Sequence, residues 1–437
     1  MSSIDTTLHH DTAHAATQPV PPGARVFGAR DHAALWFSLG VGLLVMQVGA
    51  FLVPGLGPPQ ALLAIVLGSL LGAGLLAWVA AIGCRHGLSS AALIGRSLGQ
   101  RLALLPVGLN VLQLLGWTAF ELVVMRDGTA AIAARVLGVD APAAWWPWAA
   151  TLLWGALLLA LAAGSMIGLV RRFVSRFGLP LVVLSLLWLS WQFGSRLVAQ
   201  GFDAWWSRPG DGSMGLLAGI DLVVAMPVSW LPLVADYARY GRSSGGALRG
   251  TWIGYTLANV WCYALGVLVI GFAPAGGDLV STLLLAQGGL LALGLILIDE
   301  ADNAYGDVHS GAVSIGFLRP GITIRRAGLV LVVLATLAAL VLPMHGLEPF
   351  LLLLSSIFVP LFGVVISQLA PGLPPQRALR WGPAAVWLLG IACFHAGSRW
   401  WPEAGSALPA LALTLALGSL LRRFEPGTDD PTAATPI

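Results

Sequence analysis

The sequence predicts an all-α membrane protein that crosses the bilayer twelve times, and three observations carry the prediction. The chain of 437 residues is 57% hydrophobic and only 10% charged, where a soluble domain carries about 25% charged residues. Apolar runs of about 20 residues, the length that spans hydrocarbon, recur near 34–54, 60–82, 102–125, 146–168, 179–199, 215–236, 250–273, 279–303, 325–343, 348–369, 381–397 and 405–421. The third observation is where arginine falls. All 23 cations are Arg. With both termini inside, 18 sit on inner loops: Arg25, Arg30, Arg85, Arg96, Arg101, Arg171, Arg172, Arg176, Arg239, Arg242, Arg249, Arg319, Arg325, Arg326, Arg377, Arg380, Arg422 and Arg423. Five fall outside: Arg126, Arg135, Arg196, Arg208 and Arg399. The positive-inside rule requires this asymmetry, and losing one middle span would scramble it.

The same features exclude other classes. The arginines are spread over short loops rather than one patch, so nucleic-acid binding is not expected. Cys84, Cys262 and Cys393 are far apart and outside any CxxC, which argues against a disulfide or metal framework. The polar first 30 residues hold no apolar signal-peptide core, and His9, His10 and His14 there fix no metal geometry. No cofactor is expected. The 54 glycines suit closely packed membrane helices, with Gly68 and Gly72 as one GxxxG pair. Trp145, Trp146, Trp148, Trp205, Trp206, Trp400 and Trp401 fall at the outer ends as an aromatic belt.

Taken in order, four spans carry chemistry. Span 1 is interrupted by V-M-Q-V-G-A at 45–50. Span 3 carries Gln113, Trp117 and Glu121 four residues apart, on one helix face. That face offers an amide, a flat ring and a carboxylate, as a planar heteroaromatic ligand with donor groups requires; a pair between Glu121 and Arg126 is the competing structural reading. Span 6, GIDLVVAMPVSWLPLVADYARYGR at 219–242, is broken by Pro227 and Pro232, with Asp221 near its start, Ser229 and Trp230 near its middle, and Asp236 with Arg239 at its inner end. Broken backbone is tolerated in hydrocarbon only where it lines a cavity or meets protein. Interruptions in spans 1 and 6, five spans apart, point to an inverted-repeat transporter with its site at the breaks. Span 8 ends with Asp299, Glu300, Asp302, Asn303 and Asp307, followed by His309. An intramembrane carboxylate costs about 2.5–3.5 kcal/mol on insertion scales, so such groups usually face a functional cavity. They suit a cation, a proton or a substrate; the alternative is a span that ends before the acids. Asp236 and Arg239 read as a local ion pair or as an inner gate.

The segment MPVSWLPLVADYARYGR, the span 3 pattern QLLGW and the span 8 ending DVHSGAVS together resemble the nucleobase–cation symporter-1 family, the purine–cytosine permeases. The likeness is strongest to the hydroxymethylpyrimidine permease branch and covers roughly residues 30–425. It implies a LeuT-like fold: two inverted five-helix repeats at 32–200 and 214–370, two further helices at 380–422, and cytoplasmic tails at 1–31 and 423–437. It implies a bacterial inner-membrane location and a monomer with no partner beyond lipid and substrate. The substrate ring would stack on Trp117, with Glu121 contacting its heteroatoms. Met226, Pro227, Ser229 and Trp230 would contribute from the span 6 break, Gln47 from span 1 beside its break, and Asn303 and Asp307 from span 8, with Gln113 on the span 3 face.

Two departures from the family pattern sharpen the expectation. Relatives often carry amides at the positions of Glu121 and Asp307, where this chain has carboxylates. A carboxylate accepts hydrogen bonds and does not donate unless protonated, which favours an aminopyrimidine over uracil or hydantoin. Sodium-coupled relatives hold their ion between span 1 carbonyls, here near Leu43 and Met46, and span 8 hydroxyls, here replaced by Ala301 and Asp302. The coupling ion is therefore sodium or a proton, with Asp302 as ligand or acceptor. The expected function is cation-coupled import of a pyrimidine thiamine precursor. A cytosine or purine permease of the same family is the alternative, and an amino-acid symporter of the same fold stands behind it. An intramembrane aspartyl protease is set aside because Ala304-Tyr305-Gly306-Asp307 lacks the first glycine of GxGD. A sensor is set aside for want of an output domain.

Overall fold

Each of the twelve expected segments carries helix. The computed structural model describes residues 14–139, 143–164, 178–274, 277–341 and 347–424. His9, His10, the loop arginines Arg171, Arg172 and Arg176, and the tail from 425 lie outside the described residues. The first segment is two helices, α1 (Ala29–Ser38) and α2 (Leu43–Phe51), bent by 64°. Next come α3 (Pro58–His86), a short amphipathic α4 (Ser90–Leu98), α5 (Leu104–Leu137), α6 (Trp146–Ala162) and α7 (Leu179–Gln200). The sixth segment is again a pair, α8 (Leu216–Ser229) and α9 (Leu231–Ala238), bent by 41°. The rest are α10 (Ser244–Ile270), α11 (Gly289–Leu318), α12 (Ile324–Val341), α13 (Leu347–Leu369), α14 (Trp381–Trp400) and α15 (Ala407–Phe424). Among the described residues, seven single helices and the two bent pairs are long and apolar enough to cross a membrane. The 17-residue α6 is shorter, and α11 carries four carboxylates.

Two boundaries differ from expectation. Helix α5 runs past 125 to Leu137, so Arg126 lies inside a helix and not in a loop. Helix α11 starts only at Gly289, because Gly288 adopts a left-handed φ of 70° that starts the helix afresh after the short turn Leu279–Leu283. The shift carries Asp299, Glu300, Asp302 and Asp307 into the middle of a 30-residue helix. A helix that ends before the acids is thereby ruled out.

The helices fall into two groups. Helices α1, α2, α3, α8, α9 and α10 pack on one another; α5, α6, α11 and α12 pack on one another. Between the groups the backbones meet only sparsely, where α11 passes α1, α2 and α9. The GxxxG pair serves the first group. A Cβ on Gly68 would stand 2.7 Å from Val223, and one on Gly72 would strike the Pro227 ring, so α3 and α8 approach at backbone distance. Pro227 bars the usual helical bond to the carbonyl four residues back. The Tyr263 hydroxyl of α10 donates to that carbonyl, Val223, at 3.1 Å.

Asp221 sits in the same group but far from the second proline. Its carboxylate accepts from the N–H groups of Ser406 and Ala407 at the start of α15. It is a cap that ties the first half of span 6 to the last helix.

Candidate substrate site

Both breaks lie in the first group and face the α5 and α11 helices of the second. In span 1 the helix stops at Ser38 and resumes at Leu43. The intervening Leu39-Gly40-Val41-Gly42 holds two glycines with no room for a side chain. A Cβ on Gly40 would lie 2.9 Å from Ala258, and one on Gly42 2.9 Å from the Glu300 carboxylate. The start of α2 leaves its first N–H groups without helical partners. Glu300 of α11 supplies one acceptor: its Oε1 takes the Leu43 N–H, and its Oε2 receives Asn303 Nδ2 at 3.3 Å. Asn303 Nδ2 also donates to the Val41 carbonyl at 2.9 Å.

Span 6 breaks at Ser229–Trp230, and Pro232 follows as the second residue of α9. Here the loose groups are carbonyls, and α5 supplies amides. Gln113 Nε2 donates to the Ser229 carbonyl at 3.3 Å, and Asn110 Nδ2 to the Pro232 carbonyl at 3.3 Å. Gln113 also donates to Asn110 Oδ1 at 2.9 Å, and Asn110 to Ser314 Oγ at 3.0 Å.

Between the breaks lies a cavity lined by Leu39, Gly42, Leu44 and Val45, by Trp117 and Glu121 of α5, by Met226, Ser229 and Trp230, and by Glu300, Asn303 and Asp307 of α11. Its free volume is only about 10 Å³, room for about one water, so the walls must part to admit a ring. Trp117 is braced edge-on by Phe350 at 5.1 Å between centroids, and Trp230 by Trp36 at 6.1 Å. Three carboxyl groups reach the cavity, and the lining includes no Arg, Lys or His. Arg126 does not serve Glu121. It pairs with Asp127 at 2.7 Å and donates to the Ala339 carbonyl at 3.1 Å. Glu121 Oε2 has no hydrogen-bond partner, nor do Trp117 Nε1 and Asn303 Oδ1.

Seven of the expected site residues share this cavity: Trp117, Glu121, Met226, Ser229, Trp230, Asn303 and Asp307. Three do not line it. Gln113 is spent on the span 6 backbone, Pro227 packs against Gly72, and Gln47 lies within α2, past the break. The span 1 interruption falls at 39–42 and not at 45–50, because the glycine pair breaks the helix and the 45–50 run stays helical. The expected ion ligands shift with it. Leu43 offers its N–H to Glu300, and the Met46 carbonyl is pressed against Gly266 of α10. Ala301 is buried, while Asp302 turns with Asp299 and Ser38 to a separate cavity of about 160 Å³ beside Leu181 and Val182. Ser38 Oγ donates to Asp299 at 3.0 Å. Among the described residues, no group of three or more His, Cys, Asp or Glu could hold a metal ion.

The gate residues also differ from a simple ion pair. The Asp236 carboxylate accepts from the Ser90 N–H at 2.9 Å, and Arg239 Nε reaches the Asp236 main-chain carbonyl at 3.2 Å. His309 lies between Tyr237 and Tyr305, at 5.5 and 6.4 Å, off the cavity. Glu300 is the lining residue whose position between the breaks the sequence left open. The Gly40–Gly42 pair within an apolar run was the signal for the backbone it caps.

A family described as permease for cytosine/purines, uracil, thiamine, allantoin matches residues 19–369. No curated protein matches the chain. The fold is similar to that of Mhp1, a nucleobase-cation-symport-1 family transporter, closed with bromovinylhydantoin bound: TM-score 0.79, 17% identity, 93% of this chain and 94% of that one covered. It is also similar to a Na+-coupled sialic acid symporter, with TM-score 0.62, 13% identity and coverage of 97% and 96%. A manganese transporter of Eremococcus coleocola gives TM-score 0.56, 16% identity and coverage of 90% and 94%. The fold is thus LeuT-like, with broken first helices in both halves, and the chain is a multi-pass membrane protein and not an enzyme. A match over residues 19–369 means that the chain belongs to the family of permeases for cytosine/purines, uracil, thiamine and allantoin.

Proposed function

We propose that this permease imports a pyrimidine thiamine precursor, 4-amino-5-hydroxymethyl-2-methylpyrimidine or a close analogue, together with a cation. One observation carries the reading: a ring-sized aromatic, Trp117, faces a cavity whose walls are rich in hydrogen-bond acceptors and poor in donors. When ionised, Glu121 and Asp307 accept and do not donate, which matches an exocyclic amine and leaves the carbonyls of uracil without a partner. Thiamine, named in the family description, contains such an aminopyrimidine. The substrate lies between Trp117 and the span 6 break, and the group of α1, α2, α3, α8, α9 and α10 rocks against α5, α6, α11 and α12 to alternate access. Twelve crossings with both tails in the cytoplasm, repeats at 32–200 and 214–370, and a monomer in the bacterial inner membrane complete the proposal.

Radiolabelled uptake into proteoliposomes, with sodium and proton gradients imposed separately, tests it. The aminopyrimidine should accumulate and compete far better than uracil. Equal competition by uracil would sink the acceptor argument. A cytosine preference would move the substrate within the family. Glu121→Gln should weaken the aminopyrimidine about tenfold while leaving keto-bases unchanged, since hydrogen bonds to charged groups are worth about 1.5–3 kcal/mol.

A further inference from the structure

We propose that the site takes its ligand as a planar cation with N–H donors on its rim, an aminopyrimidinium or related amidinium, so that the ligand itself brings positive charge to the buried carboxyl groups. This rests on the aminopyrimidine reading and deepens it.

The argument is one of charge balance in a dry place. Glu121, Glu300 and Asp307 reach one cavity, and each is at least nine-tenths buried. No basic side chain lines that cavity, and the arginine nearest in sequence, Arg126, is committed to Asp127 and to the Ala339 carbonyl. The titratable groups facing the carboxylates from neighbouring elements bring no positive charge. They are Asp299 and Asp302 of α11, the Cys262 thiol of α10 and Tyr237 of α9. Uncompensated buried charge is among the costliest arrangements a protein can hold.

The three acids are unequally occupied. Glu300 accepts from the Leu43 N–H and from Asn303. Glu121 stands against the Glu300 carboxyl with its own Oε2 unpartnered, and among the described residues no hydrogen bond reaches the Asp307 carboxyl. Two further buried polar atoms on the same wall, Trp117 Nε1 and Asn303 Oδ1, are also unpartnered. They point to a ligand and not merely to an acidic cluster. Trp117 adds the last element, since an indole face attracts a delocalised cation. A protonated aminopyrimidine presents its amine and a ring N–H as charge-assisted donors to separate carboxylates. A neutral ring offers the same outline without the ring N–H and without the charge.

The test is equilibrium binding to purified full-length protein in sodium-free buffer at one fixed pH. The probes are aminopyrimidines whose ring basicity is tuned by remote substituents, with 2-aminobenzyl alcohol as neutral isostere. Affinity should rise with the protonated fraction, up to about tenfold per unit of ring pKa, and the isostere should bind at least tenfold more weakly. Affinity flat across the series, or an isostere within threefold, overturns the cation. Failure of every aminopyrimidine to bind would instead overturn the substrate reading beneath it. Asp307→Asn should flatten the basicity dependence, and where that variant fails to fold the wild-type series still decides.

Discussion

The two broken spans do the same work with opposite chemistry. At span 1 the exposed groups are an N–H at the start of a helix, which α11 meets with a carboxylate, and the Val41 carbonyl, which it meets with Asn303. At span 6 the exposed groups are carbonyls, and α5 meets them with two amides. Glycine makes the first break by letting neighbours close in; proline contributes to the second by withholding a donor. In both, the partner comes from the helix group that lies across the cavity. The polar side chains of α5 and α11 therefore hold the breaks in shape and line the site at once. The unwound backbone of one group can shift only by exchanging hydrogen bonds with the other.

That contrast can be broken in a ranked way. Glu300→Ala removes the acceptor for both Leu43 N–H and Asn303 Nδ2, so it should cost the most, about 3 kcal/mol, read as thermal unfolding of the purified protein. Asn110→Ala frees the Pro232 carbonyl, a neutral acceptor and not a charged group. About 1–1.5 kcal/mol is expected by the same measurement. Ser229→Ala deletes only a local bond from Ser229 Oγ to the Met226 carbonyl; a change within about 0.5 kcal/mol should result. Equal losses for Glu300→Ala and Asn110→Ala would show that anion and amide are interchangeable at the two breaks. A sharper version exchanges chemistry without volume. In Glu300→Gln the new amide can still accept from Leu43, but its NH2 then opposes Asn303 Nδ2. Transport should fall at least tenfold while the fold survives, whereas Asn110→Asp should fail mainly through stability.

Much of this was legible in the chain. Hydropathy placed helices at every expected segment, since a bilayer-length apolar run has few other outcomes. Helical spacing put Trp117 and Glu121 on one face, and Pro227 with Pro232 marked the second break. The misplacements share a cause. Gln47 looked like a break residue because it is polar, yet α2 absorbs it; the true break at Leu39–Gly42 is wholly apolar in sequence. Gln113 and Pro227 were read as ligand contacts, whereas they serve backbone carbonyls and helix packing. For Glu300 and its neighbours the sequence allows helix or loop; Gly288 sets the start of α11, and the helix runs through them.

What the sequence by itself determined is the class of molecule, the number of apolar segments and the residue types available in mid-membrane, because these follow from the cost of leaving polar groups in hydrocarbon. What only the tertiary structure decided is which polar groups are already spent. A hydrogen bond donated to Glu300 by the Leu43 N–H, 257 residues away, has no local signature. The same is true of the bond from Arg126 to the Ala339 carbonyl, 213 residues away. Whether a buried carboxylate is a scaffold or a site depends on what remains unpartnered, and that is a property of three-dimensional proximity alone.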